Sequence, residues 1–208
     1  VGMLRSDIYK LEKILNEEYP DLEFKKEIIM EKHDAYRHYK VTLKSRSPVF
    51  VDIFAFDIYD IPVESLEEKI ISYDREIRGL ADLYRRRNNI NEDGLLNRFQ
   101  MDDIDNIFSM FYEDKGILSV DGESIGYGAD TMMPSIIDVK AYETGTVFPC
   151  KSTMFENIEI QIPSDYHLFL KGYFGDYYTV PFNVFVKEHT ELSDENTCNL
   201  KKMISKYS

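Results

Sequence analysis

Two hydrophobic periods alternate along this chain, and each predicts its own kind of element. From residue 4 to 19, Leu4, Ile8, Leu11 and Leu15 recur at spacings of three and four, and Pro20 closes the run, which predicts an amphipathic helix. A period of two follows. Phe24 to Met30 predicts a short strand, and Tyr36 to Lys44 sets Tyr39, Val41 and Leu43 against His38, Lys40, Thr42 and Lys44, the pattern of a strand with one polar face. A short Ser-Arg-Ser-Pro turn at 45–48 leads into the most apolar stretch, Val49 to Asp60. Two strands so connected are expected to pair antiparallel, with Lys40 beside Asp52. Helical spacing returns from Val63 to about Asn88, on Leu66, Ile70, Ile77 and Leu80, and again from Leu95 to Phe111. Gly116 to Asp130, with Gly122, Gly126 and Gly128, matches neither a phosphate-binding loop nor a dinucleotide fingerprint and reads as a flexible loop. Val147 to Phe155 and Asn157 to Pro163 predict two short strands, and Ser164 or Asp165 caps a helix holding Tyr166, Phe169 and Leu170. Neither a repeat nor a linker divides the chain, so residues 1–190 are expected to form one domain and residues 191–208 a polar tail.

Chemistry first shows in the Val49 to Asp60 run. On a strand, Asp52, Phe54 and Phe56 share one face, and Val51, Ile53, Ala55 and Asp57 the other. A carboxylate among aromatic rings is costly to bury alone, so it must be paired, hydrogen-bonded or bound to a metal ion, which makes Asp52 the first site candidate. The competing reading is a strand-end carboxylate that faces water or caps a loop. Asp57 reads as structural, a cap for the following turn. The acidic group Asp102, Asp103 and Asp105 reads as a solvated helix face or cap rather than a metal pair. Arg85, Arg86 and Arg87 suit the negative end of a helix dipole, with phosphate binding the lesser reading. His33 and His167 read as surface residues.

Charge narrows the partners. The 208 residues carry 25 Lys plus Arg against 38 Asp plus Glu, a net charge of −13, which repels a phosphate backbone and excludes duplex nucleic acid as a natural partner. A divalent ion or a local basic cluster can still reverse the sign at one pocket, so a nucleotide ligand stays open. Cys150 and Cys198 make neither a metal-ligand spacing nor a disulfide framework, and reduced thiols suit a cytosolic protein. No apolar run reaches the length that spans a bilayer.

Two separated stretches resemble one family. They are Phe50-Val51-Asp52-Ile53-Phe54-Ala55-Phe56-Asp57 and the block from Met154-Phe155-Glu156-Asn157 through Pro163 and Tyr166 to Phe174-Gly175-Asp176-Tyr177. In order and spacing they are similar to the LicD family, whose strand reads approximately Ile-Asp-Ile-Phe-Pro-Leu-Asp and whose later block reads Phe-Glu-Gly, an apolar pair with proline, a Tyr-containing helix and Tyr-Gly-Asp-Tyr. Gly2-Met3-Leu4-Arg5-Ser6-Asp7 resembles the segment that follows the family's Asp-Asp-Asp-Ile-Asp motif. Ala55 stands for the family's proline, Asn157 for glycine and Phe174 for a common tyrosine.

The resemblance implies an α+β, nucleotidyltransferase-like fold with a mixed sheet flanked by helices. It implies metal-dependent transfer of a phospho-alcohol group, phosphocholine in type, from a CDP-linked donor to a hydroxyl of a cell-surface glycan such as a teichoic acid or lipooligosaccharide. The fukutin-related enzymes, which move ribitol phosphate, are similar. Such chemistry asks for positioning and charge neutralisation, and magnesium, an oxygen-seeking ion, is the expected divalent metal. By the same resemblance Asp52 is a metal-holding catalytic aspartate, while Lys40, Asp176 and His189 are substrate-binding candidates. The bland readings are a solvent-facing strand lysine for Lys40 and a buried structural hydrogen-bond network for Asp176. The expected place of work is the cytoplasm, at the inner face of the membrane where the acceptor is lipid-linked. The family's paired aspartates fall just before Val1, so the domain reads as lacking its amino-terminal catalytic segment. It is either a piece of an active enzyme or a non-catalytic remnant of the same fold that binds or regulates.

Overall fold

The computed structural model describes residues 1–31, 34–44, 50–90, 96–117, 121–131 and 139–179. In chain order the elements are β1 (Gly2–Leu4), α1 (Arg5–Glu18), β2 (Leu22–Glu31), β3 (Asp34–Leu43), β4 (Phe50–Tyr59), α2 (Val63–Arg87), α3 (Arg98–Asp114), β5 (Ser124–Tyr127), β6 (Ala141–Glu143), α4 (Thr144–Val147), β7 (Lys151–Phe155), β8 (Ile158–Ile162) and α5 (Tyr166–Phe174).

β4 is the hub of a six-stranded sheet, as its long Val, Ile and Phe run demands. Its first residues pair antiparallel with β3, residues Phe54 to Phe56 pair parallel with β1, and Phe56 to Tyr59 pair antiparallel with β5. β2 extends the sheet beyond β3, and β6 extends it beyond β5. Among the described strands β1 with β4 is the one parallel pair, and β7 with β8 forms a separate hairpin.

The two faces of β4 enter different cores. Ile53 and Ala55 pack with Ile8 of α1 and Tyr39 of β3, and Tyr59 joins a larger cluster built from Leu66, Ile70, Ile77 and Ala81 of α2 and Ile104, Phe108, Phe111 and Tyr112 of α3. On the opposite face Phe56 and Ile58 pack with Ile125 and Tyr142, against Phe169 and Tyr173 of α5. Helices therefore cover both sides of an α+β sheet, the first three on one face and α5 on the other. Of the positions at helical spacing, Ile8 and Leu15 in α1 and Leu66, Ile70 and Ile77 in α2 are buried, whereas Leu80 is exposed.

Three details depart from the sequence reading. Gly116 to Asp130 is not a loop throughout, because it contains the buried strand β5. Its Gly126 is a contact residue: a Cβ there would stand 2.5 Å from Ile70 Cδ1, so α2 lies directly on strand backbone. The third helix starts at Arg98 and runs to Asp114, since Asn97 and Gln100 form a reciprocal capping box that fixes its first turn. Thr144 to Val147 is a single helical turn, which delays the next strand to Lys151. Arg85 is buried and ion-paired with Asp82, which also holds Arg86 at 2.6 Å, so these two cations are engaged within their own helix. No helix among the described residues is long and apolar enough to cross a membrane.

Candidate functional site

Two groups of polar side chains flank β4, and they differ in kind. On the α1 to α3 side lies a closed ionic cluster. Arg5, the first residue of α1, is 3% exposed and donates from Nε and Nη2 to both oxygens of Asp57 at 2.8 and 2.7 Å. The same guanidinium reaches Asp130 at 2.7 and 3.2 Å and lies 4.2 Å from the centre of the Tyr112 ring. Arg37 of β3 closes the other side of Asp130 at 2.7 Å and donates to Asp105 and to the Ser109 hydroxyl of α3. The Tyr112 hydroxyl donates to Asp130, also at 2.7 Å. β1 with α1, β3, β4, α3 and the segment after β5 are thus tied at one point. Gly128 belongs to this point as well, since a Cβ there would collide with the Arg5 guanidinium.

The electrostatics follow from the partners. Burial alone would raise the Asp130 carboxyl, but Arg5 and Arg37 outweigh it and hold it down at about 2. Asp57, with one guanidinium and Asp130 nearby, is pushed up by burial against the pull of Arg5. Asp130 therefore contributes stability that is fully present above its unfolded value of 3.8 and is lost as pH falls through about 2. That contribution is worth about 2 kcal/mol. Urea unfolding between pH 5 and pH 2 is expected to show wild-type stability falling by about that much more than the stability of an Asp130→Asn variant. Asp57 contributes with the opposite sign, and less so in the variant, which lacks the Asp130 charge that helps to raise it, so the difference falls somewhat below the Asp130 contribution alone. Equal slopes would contradict the assignment.

The other group is open. Asp52 stands directly opposite Lys40 across the antiparallel pair, as the short connection between their strands predicts. Its carboxylate is 34% exposed and takes a 2.9 Å hydrogen bond from His38 Nε2. Lys40 Nζ lies 3.7 Å from Glu27 and 5.4 Å from the Phe50 ring centre, so its charge sits beside Asp52 but is shared with β2. The backbone carbonyl of Asp52 accepts from the Val1 amine at 2.8 Å, so the start of β1 lies against the Asp52 residue.

A cavity of about 560 Å³ lies along β1 and the Phe56 part of β4, and Asp52, Lys40 and His38 are not among its lining residues. Val1, Met3, Phe56, Phe148, Ile162 and Phe169 give it apolar walls, and Asp7 and Gln161 add polar groups. Phe56 shares the strand face of Asp52, and Val1 both lines the cavity and contacts the Asp52 carbonyl.

No protein family, curated protein or solved structure compared with this chain matches it.

The structure places the sequence candidates unequally. Asp52 and Lys40 come together. Asp176 is exposed and accepts from the Thr179 hydroxyl at 2.6 Å, a local turn contact that replaces the expected buried network. His189 lies outside the described residues, as do the polar tail and His33. His167 is exposed, as expected, and its ring lies tilted against that of Tyr166. Asp57 is structural, but its partner is Arg5 and not the turn after β4. Asp105 is not simply a solvated helix residue, because it binds Arg37 and Lys26. His38 was read only as part of a polar strand face, and its position two residues from Lys40 is the one sequence signal that could have pointed to it. Among the described residues no three His, Cys, Asp or Glu side chains gather in a way that would hold a metal ion. Asp52 with His38 is thus too small a donor set to fit a magnesium centre by itself.

Proposed function

We propose that this protein is a LicD-like phosphotransferase that moves a phospho-alcohol group, phosphocholine in type, from a CDP-linked donor to a hydroxyl of a cell-surface glycan. The observation that carries the reading is the position of Asp52: an open carboxylate on the central strand, in register with Lys40 and next to the start of the parallel strand β1. The resemblance of the Phe50 to Asp57 strand supports it, and so does the sheet, since a nucleotidyltransferase-like fold is α+β with a mixed central sheet. The parallel pairing of β1 supports it too, because the residues that the family carries immediately ahead of this segment would enter the fold beside Asp52.

In the proposed reaction an acceptor hydroxyl oxygen attacks the outer phosphorus of the donor, the bond from that phosphorus to the bridging oxygen breaks, CMP leaves with the electron pair, and the hydroxyl proton passes to solvent. Little covalent help is needed from the protein; alignment and a favourable field at the phosphoryl oxygens do most of the work. Lys40 offers a cation there. A divalent ion belongs to the proposal through the resemblance, with Asp52 as one ligand and no complete set among the described residues. Exposed Met154, Phe155 and Ile158 at the tip of the hairpin would suit the lipid end of a lipid-linked acceptor at the inner face of the membrane.

The second reading is a non-catalytic protein of the same fold that binds or regulates, and the incomplete donor set favours it. Incubating the full-length gene product with CDP-choline or CDP-ribitol separates the two. The leading reading expects CMP release that requires divalent metal. Donor binding without CMP release under any divalent metal supports the second reading and rejects the first.

A further inference from the structure

The hydrogen bond between His38 and Asp52 has a direction that the surroundings settle. An ionised carboxylate accepts and cannot donate, so the 2.9 Å contact between His38 Nε2 and Asp52 Oδ1 puts the hydrogen on Nε2. The other ring nitrogen, Nδ1, is buried and has no hydrogen-bond partner among the described residues. A hydrogen on Nδ1 would be a buried donor without an acceptor, and orphaned N–H groups are rarer in folded proteins than under-satisfied acceptors, so a bare Nδ1 is the less costly state. Burial of Nδ1 and the carboxylate at Nε2 thus select the same tautomer.

That tautomer has a consequence for the carboxylate. With Oδ1 held by a ring embedded in β3, Asp52 cannot swing freely, and Oδ2 has no partner among the described residues. Lys40 does not do the holding, although it is the direct cross-strand neighbour, because its ammonium leans toward Glu27. We propose that His38 is a positioning residue for the site, an Nε2–H donor that fixes the plane of the Asp52 carboxylate and presents Oδ2 to whatever the site binds. Outer partners that orient a working carboxylate in this way matter to activity as well as to structure. The inference rests on the phosphotransferase reading for its effect on rate, but the tautomer can be read without any turnover.

Long-range proton–nitrogen NMR of protein labelled with ¹⁵N-histidine tests the first part. His38 is expected to show a protonated Nε2 and a bare Nδ1, and in Asp52→Ala, where the acceptor is gone, its Nε2 proton is expected to exchange faster with water. A protonated Nδ1 in the wild-type protein would overturn the proposal. CMP release by the full-length protein tests the second part. His38→Ala is expected to lower kcat by about 10- to 100-fold, with the KM for CDP-choline nearly unchanged. His38→Gln, whose amide can still donate to Oδ1, is expected to recover most of the loss. A His38→Ala protein with wild-type kcat and an intact fold would overturn the positioning role. A wild-type protein that releases no CMP counts against the phosphotransferase reading instead, and the NMR result still decides whether His38 holds Asp52.

Discussion

Replacing Arg5 by methionine is expected to cost this protein about 3–5 kcal/mol of stability, the range for removing one partner of a buried ion pair. Marginal domains have only about 5–15 kcal/mol in total, so much of the population would unfold in mild denaturant. The loss does not come mainly from the hydrogen bonds themselves. It comes from what is left behind, because Asp57 and Asp130 are fully enclosed and Arg5 touches both. Asp130 keeps Arg37 at 2.7 Å, whereas Asp57 has no second cation within ion-pair distance among the described residues. Asp57 is therefore the residue whose desolvation goes unmet. Adding Asp57→Leu to Arg5→Met should restore a substantial part of the stability, since the pair then becomes apolar together. Urea unfolding followed by circular dichroism measures both. A loss under about 1 kcal/mol for the single variant, or no recovery in the double, would show that the cluster is not the clamp described here.

That clamp marks the limit of what the residues disclose in order. The helices α1 and α2 and the strands β3 and β4 were legible because their apolar spacing is local, and Leu66, Ile70 and Ile77 declare a buried face without any tertiary knowledge. The pairing of Lys40 with Asp52 was legible for a similar reason: a short turn between two strands leaves few registers. The ionic cluster had no such signal. Arg5 meets Asp57 across 52 positions and Asp130 across 125, and no periodicity links residues that far apart. Its traces were still present. Arg37 falls on the same strand parity as Tyr39 and Val41, and Asp57 on the parity of Ile53 and Ala55, so each is a charge on an apolar face that calls for an opposite charge. Gly126 and Gly128 were misread for a different reason. Their meaning lies in what approaches them, Ile70 in one case and Arg5 in the other, and a glycine discloses that only once its neighbours are in place. His38 reaches Asp52 diagonally, past its direct neighbour Lys40, so the choice between the two depended on side-chain direction rather than on register.

Asp52→Asn is expected to reduce CMP release by at least about 100-fold, the scale of losing one electrostatic group from an active site. The exchange is close to isosteric. Asparagine still offers an oxygen to His38, the strand keeps its backbone pairing, and a side chain that is 34% exposed contributes little to the core. What changes is one negative charge beside Lys40, so binding of a cation shared with the donor phosphates should suffer while folding does not. The unfolding midpoint in urea is accordingly expected to stay at the wild-type value. This separates Asp52 from Arg5, whose replacement acts through stability.

CMP release from CDP-choline, followed side by side for the full-length wild-type protein and its Asp52→Asn variant, is the most direct test of the phosphotransferase reading. Metal-dependent release by the wild type that collapses in an equally stable variant is the predicted result. Release that survives the substitution would remove Asp52 from the reaction, and with it the site proposed for this fold.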